Sequence, residues 1–485
     1  MSLPIAGTAR VDITPAWPVM QGGFGQRIAP CTGVHDPVFA KALYLANETD
    51  RLLIITADLI CIPGPLGSAV IALLAAQAGL LPAQICVCAS HTHSGPLPFD
   101  ASGTAQGVAE YTPVLRDALA GVALAAIACA RPCRVRTGIG AVDVFLNRRT
   151  RGAPNIVDKR VAVVAVDDAA NGALQAVLFG VGCHPVTMGW DNMAISADFP
   201  GVAQALIEAE FAGATALFFN TTEGNVIPRT SPNLDALDPR GYCGGGFAHS
   251  SSVGAAIAAE VVRVVRADTV TSELRIGARR TDLQIDQRNA QLDLATARTQ
   301  LADGTRTLCE FLGDDFAARV PAAQLWSVAS ARVIALQMSE TDMRRLMLAC
   351  CHFLGLSARV RQTRTPRPTN VPVQLLRIND FLLLALPGEV LVETGQAWTE
   401  LAASERIHSD GAASEHARHR RGTAGNAFIV GLANAHLRYL PSSAHFAEPD
   451  AARHYETVTA GLAPDSMDVI FGAAARMLDE LRIAR

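Results

Sequence analysis

Lysine is nearly absent from this sequence. Of 41 basic residues only Lys41 and Lys159 are lysines, and 45 acidic residues leave a formal net charge of −4 over 485 residues. So balanced a chain lacks the basic face of a nucleic-acid binder, and no nucleic-acid partner is expected. With 50% apolar and 18% charged residues, disorder and charge-driven tails are excluded. The apolar runs near 59–89 and 118–130 are broken by Pro63, Gly64, Pro65 and Pro82, or fall short of the ~20 residues of a membrane span, so no integral membrane segment is expected. Met1–Gly7 has no basic segment leading into an apolar one, so no secretory signal is expected. The eleven cysteines are odd in number and scattered through apolar runs. They read as buried thiols of a reducing, cytoplasmic compartment rather than as a disulfide framework. Phosphate-binding loops, Cys-x-x-Cys pairs and His-Glu-x-x-His are missing, and the glycines at 22–25 and 244–246 lack the strand–helix context of a nucleotide site.

What is present is an alternation of short apolar runs with helical segments. Residues 52–58 and 83–90 read as buried strands around a helix over 66–80, with an Ala-rich helix over 105–130. Residues 161–166 and 176–182 read as paired strands, and 215–220 as another. Segments 286–312 and 322–353 have helical spacing and look like an insertion. A hairpin is expected over 371–386 across Asn379-Asp380, then a helix over about 390–403, a polar loop over 404–424, a strand over 427–432 and a terminal helix. Several strands run directly into turns bearing polar residues: His91 and His93, His184, Glu223 and Asn225, Glu389, and Asn434 through Tyr439. Sites in open α/β sheets form where such strand ends converge.

Taken singly these signals are modest. Two histidines at i and i+2 of an extended segment point to one side. In His91-Thr-His93 that suits two ligands of one metal, or one ligand and one acid–base group; histidines bonded to loop backbone would read the same. His184 after an apolar strand is more often structural, and Glu389 is equally the carboxylate favoured at a helix start. His436, His445 and His454 read as surface or rim residues. In the loop 220–228 the residue before Pro228 is Ile227, which cannot attack a carbonyl, so covalent catalysis there would need Thr221 or Thr222.

The order of motifs is more informative. Gly7–Pro15, Gly33–Leu43, Asp58, Ser90-His-Thr-His-Ser-Gly-Pro96, Asn147-Arg148, His184 with Ile195–Asp198, the loop 220–228, Pro387-Gly-Glu389 and Gly431 through Tyr439 together resemble the catalytic domain of neutral/alkaline, non-lysosomal ceramidases and their bacterial relatives. The resemblance spans nearly the whole chain and is weakest in the helical insertion. It implies one large α/β catalytic domain over 1–485, with a mixed sheet core flanked by helices and a helical insertion near 286–353. It also implies zinc held by His91, His184, Glu389 and Tyr439, a set with a position left for water. By the same match His93 helps bind the scissile group, Arg148 orients substrate, and Tyr455-Glu456 corresponds to a downstream Tyr-Glu pair.

The departures redirect the functional expectation. The family's nucleophile loop reads Gly-Asp-Val-Ser-Pro; here it reads Gly224-Asn-Val-Ile-Pro228, with Ile227 in the serine's place. The position of one family tyrosine is held by His436, and no counterpart of the family's secretion signal or C-terminal β-sandwich domain is expected. The expectation is therefore a zinc hydrolase of an amide bond in a soluble small molecule, using metal-activated water. His93 would stabilise the oxyanion or shuttle a proton, and Glu223, Asp198 or Asn225 would orient the water. An N-acyl lipid amidase, an ester or lactone hydrolase, and a non-catalytic metal-binding relative are the alternatives. The ligand types favour zinc over iron or manganese without excluding them, and none of the cysteines belongs to the metal set.

Overall fold

The computed structural model describes residues 3–483 except 101–102, 104, 151–153, 232–236, 243, 268–273, 289–293, 362–367 and 410–424. A mixed eight-stranded sheet runs in the order Thr215–Asn220, Leu174–Val181, Arg160–Asp168, Arg131–Ala141, Ile5–Asp12, Phe39–Ala46, Arg51–Ala57, Ile85–Ala89. Among the described residues its two halves pair as strands through Ile5↔Pro132 and Ala6↔Arg131. A second sheet of four strands runs Ile276–Ile285, Thr369–Ile378, Phe381–Ala385, Ala427–Val430.

The burial pattern follows the two-residue period of a strand. Ala42, Tyr44, Leu53, Ile55, Ile85 and Val87 face the helices Gly64–Ala78 and Val108–Ala128. Val163, Val177, Phe179 and Phe218 face the helices Asp198–Glu210 and Phe247–Arg266. The alternate residues (Leu43, Ile54, Cys86, Val164, Leu178 and Phe219 among them) share one core with Leu376, Leu383 and Phe428 of the smaller sheet. The far side of that sheet is covered by the helices Val392–Ser409 and Ser466–Ile483.

Three parallel strand pairs are each joined through a helix. Arg51–Ala57 pairs with Ile85–Ala89, Leu174–Val181 with Thr215–Asn220, and Phe381–Ala385 with Ala427–Val430. These are the crossovers that parallel pairing requires.

Several boundaries differ from the sequence reading. The inserted helices span Leu294–Leu312, Leu325–Leu336 and Glu340–Arg361, packed around Leu308, Phe316, Val333, Met343 and Met347. The helix expected to stop near 403 continues to Ser409, and the rest of the 404–424 loop lies outside the described residues. The apolar stretch read as 118–130 belongs to a helix of 21 residues, Val108–Ala128. Among the described residues it is one helix long and apolar enough to cross a membrane. Its Tyr111, Leu115, Leu119 and Ala123 are packed against the sheet as core.

Candidate functional site

The carboxyl ends of those strand pairs meet at one place. Asn220 ties them together: its side-chain amide donates to the carbonyls of Ser90 (3.1 Å) and Cys183 (3.0 Å). His91 follows Ile85–Ala89, His184 follows Leu174–Val181, and Glu223 follows Thr215–Asn220. Glu389 and Tyr439 begin two short parallel strands, Glu389–Val390 and Tyr439–Leu440, in which they are direct neighbours.

The chain has left the extended conformation at His91, whose φ is +71°. The i, i+2 alternation expected for His91 and His93 therefore does not operate. The rings are brought together, 4.9 Å apart and nearly perpendicular, by backbone bonds from the His91 amide to the Leu59 carbonyl and from the His93 amide to the Pro185 carbonyl. Strained backbone of this kind, worth roughly 1–3 kcal/mol per residue, persists only where its surroundings dictate it.

The hydrogen bonds define the ring tautomers. His91 Nδ1 lies 2.6 Å from the Ile60 carbonyl, and His184 Nδ1 lies 2.6 Å from the Glu223 carbonyl. A carbonyl only accepts, so each Nδ1 carries the hydrogen and each Nε2 turns its lone pair to the centre. There Glu389 Oε2 lies 3.4 Å from His91 Nε2 and 3.2 Å from His184 Nε2, yet forms no aligned hydrogen bond. His93 Nε2 is 3.4 Å from His91 Nε2, and the Tyr439 hydroxyl is 3.4 Å from His184 Nε2. His91, His93 and His184 also form a cluster able to hold a metal ion. At Glu389 Oε2 and the Nε2 atoms of His91 and His184, electron pairs face one another with no aligned hydrogen bond between them, which a cation would reconcile, so this donor set fits a metal.

Protonation agrees with that fit. Burial lowers the His184 pKa to about 4 and pushes His93 well below the usual imidazole range, where His91 and His184 depress it further. Burial would raise Glu389, but His91, His184 and His436 outweigh it and hold the carboxyl well below its ordinary value. Burial pushes the Tyr439 phenol up.

The other expected residues divide into those at the centre and those committed to bracing it. The Arg148 side chain donates to the Tyr439 hydroxyl (2.9 Å), the Gly224 carbonyl (2.9 Å) and Glu456 Oε1 (2.9 Å), so it fixes Tyr439. Glu223 is wholly buried and neither carboxyl oxygen has a hydrogen-bond partner; burial, then the Glu389 charge, raises its pKa. Asn225 spans to the next helix: its Oδ1 accepts from the Val392 amide (3.0 Å) and its Nδ2 donates to Glu393 (2.8 Å). Asp198 accepts from the Thr187 hydroxyl (2.6 Å) and amide (3.1 Å). Ile227 is fully buried in an apolar cluster with Phe24 and Val186, beside Leu146, Trp190 and Tyr455.

His436, read as a rim residue, has its Nε2 3.2 Å from Glu389 Oε1. Burial opposes its charged form, but Cys61 beside the ring and Glu389 raise its pKa to about 10. Nothing in the spacing of the sequence marks Cys61 or His436 as site residues.

This architecture is a neutral-ceramidase-like α/β fold. Two solved structures show it: a neutral ceramidase from Pseudomonas aeruginosa (TM-score 0.71, 20% identity, all of this chain and 75% of that one) and a structure titled ceramidase complexed with C2 (TM-score 0.69, 19% identity, all of this chain and 76% of that one). No family model and no curated protein sequence matches the chain.

Proposed function

We propose that this protein is a zinc-dependent hydrolase that cleaves the C–N bond of an amide in a soluble small molecule. His91, His184, Glu389 and Tyr439 would hold the ion. The observation that carries the reading is the convergence of two imidazole Nε2 atoms and Glu389 Oε2, with both Nδ1 hydrogens already spent on backbone carbonyls. When bound, zinc would supply Lewis acidity and lower the pKa of water toward neutrality. His93, whose Nε2 faces the same point, would hydrogen-bond the carbonyl oxygen as negative charge develops on it. Arg148 keeps the Tyr439 hydroxyl turned to the centre. Of the three candidates for orienting water, Asp198 and Asn225 are engaged elsewhere, and Glu223 has its carboxyl oxygens unspent. Ile227 supports direct attack by water, since it offers no nucleophile.

A second reading, hydrolysis of an N-acyl lipid, is favoured by the apolar cluster of Phe24, Val186 and Ile227 beside His93 and by the likeness to two ceramidase structures. Metal analysis of the purified protein tests the proposal. It is followed by turnover of short-chain amides, esters, lactones and N-acyl amphiphiles, with and without chelator. Bound zinc and chelator-sensitive cleavage of short-chain amides are expected. Preference for N-acyl amphiphiles would establish the second reading. Undiminished turnover in the metal-free protein would overturn both, and bound metal with no turnover on any substrate would mark a non-catalytic relative.

A further inference from the structure

We infer that Arg27 is a positioning residue for His93, acting through the Gly22–Arg27 turn. The inference rests on the hydrolase reading above, in which His93 meets the carbonyl oxygen of the substrate. His91 and His184 are each held by a hydrogen bond from Nδ1, whereas His93 Nδ1 is buried and has no partner. The orientation of the His93 ring is therefore set by packing.

That packing comes from one turn. Gly23, at φ +96°, passes so close that a Cβ there would lie 2.6 Å from His93 Nδ1. Phe24 meets the His93 ring edge-on, with centroids 4.8 Å apart. Arg27 locks the turn in place. Its Nη1 donates to the Gly22 carbonyl (3.0 Å) and to the carbonyl of His93 itself. Its Nε and Nη2 donate to the carbonyls of Trp190 (3.2 Å) and Gly189 (3.3 Å). Its guanidinium lies over the Phe24 ring, 4.9 Å from the centroid.

The side chain is buried, and burial lowers its pKa to about 9 against the pull of Asp191, so it stays charged at neutral pH. A charge this deep is usually matched to a carboxylate; here backbone carbonyls of three segments take its hydrogens. A planar fork can bind several carbonyls at once, which an ammonium cannot reproduce.

The test compares Arg27→Lys, Arg27→Met and Phe24→Leu with His93→Ala. Each of the first three should lower kcat about 10–100-fold, the range for groups that orient a site residue. KM should stay within a factor of about three. Bound metal should be unchanged, because His91 and His184 keep their own carbonyl partners. In a His93→Ala background the Arg27 substitutions should add less than about a twofold effect. In the metal-free protein, the nitrogen resonances of the His93 ring should shift or broaden on substitution of Arg27, while those of His91 and His184 stay. Unaltered His93 resonances, or a kcat loss that persists in full in His93→Ala, would overturn the inference. If His93→Ala alone leaves turnover intact, the role given to His93 in hydrolysis fails, and the resonances still decide whether Arg27 orients the ring. Should Arg27→Met not fold, Arg27→Lys and Phe24→Leu carry the same measurements.

Discussion

Tyr439→Phe separates the framework of the centre from its chemistry. The ring would keep its contacts with Tyr455, at 5.6 Å between centroids, so little packing is lost. What is lost is the hydroxyl that accepts from Arg148 Nη2 at 2.9 Å and lies 3.4 Å from His184 Nε2. Arg148 keeps Glu456 and the Gly224 carbonyl, but a charged, buried N–H is deprived of that acceptor. Hydrogen bonds to charged groups contribute about 1.5–3 kcal/mol. The metal-free variant should therefore unfold at lower denaturant, by that amount and with an unchanged m-value. Zinc affinity, measured by competition with a chromogenic chelator, should fall by at least the roughly 10–100-fold typical of groups that merely support a ligand. Unchanged stability would mean that the Arg148–Tyr439 bond is not made in solution. Unchanged zinc affinity would remove Tyr439 from the ligand set whatever happens to stability.

Other substitutions probe the remaining parts. With His184 titrating at about 4 when folded against 6.5 unfolded, the unfolded chain binds more protons between those values, so metal-free stability should fall as pH drops from 6.5 to 4. That contribution is at most about 3 kcal/mol. Asp58 and Asp198, raised to about 6 by burial, act in the opposite sense. The check is thus a difference: in urea titrations across pH, His184→Gln should lack the downward component, and identical pH slopes would refute the assignment. Ile227→Ser should cost about 2–5 kcal/mol, the range for truncating a buried Ile to a small residue, and should not create turnover of N-acyl sphingosine, because the position packs against Phe24 and Val186; gain of that turnover would mean that the missing serine was the sole barrier. Asn225→Ala deprives the buried Val392 amide of its acceptor and should cost about 1–3 kcal/mol in thermal or denaturant unfolding, with weaker zinc binding because Glu389 lies just before that helix.

The strands were legible because their signal is local. Apolar runs such as Leu52–Ala57 and Val161–Val166 are buried on both faces, so they stand out without knowledge of their neighbours. The order of motifs also led to the fold. The helix Val108–Ala128 was legible as 105–130 because Tyr111, Leu115 and Leu119 keep an inner apolar stripe although Glu110, Arg116 and Asp117 interrupt the pattern on its outer side. Asn225 and Asp198 looked like candidates for handling water because a polar residue after a strand carries no mark of its partner; Asp198 is taken up by Thr187 nearby, and Asn225 by Val392 and Glu393 far along the sequence.

Arg27 and His436 were missed for a deeper reason. The loop Gly431–Arg438 has Leu432, Asn434 and Arg438 at positive φ. It keeps that shape because the Leu432 amide reaches Gly388, the Ala433 amide reaches Leu386, and Asn434 pairs with Val87 through both its amide and its side-chain Oδ1. Backbone of three strand ends thereby forces His436 against Glu389, and the same kind of closure brings Arg27 onto the carbonyl of His93. The main-chain bonds among these do not depend on the identity of the residue whose carbonyl accepts, so no residue pattern records them. The residues that meet at the centre are written in residue types. The devices that aim them are written in main-chain closure, and they emerge only when the three crossover units are assembled.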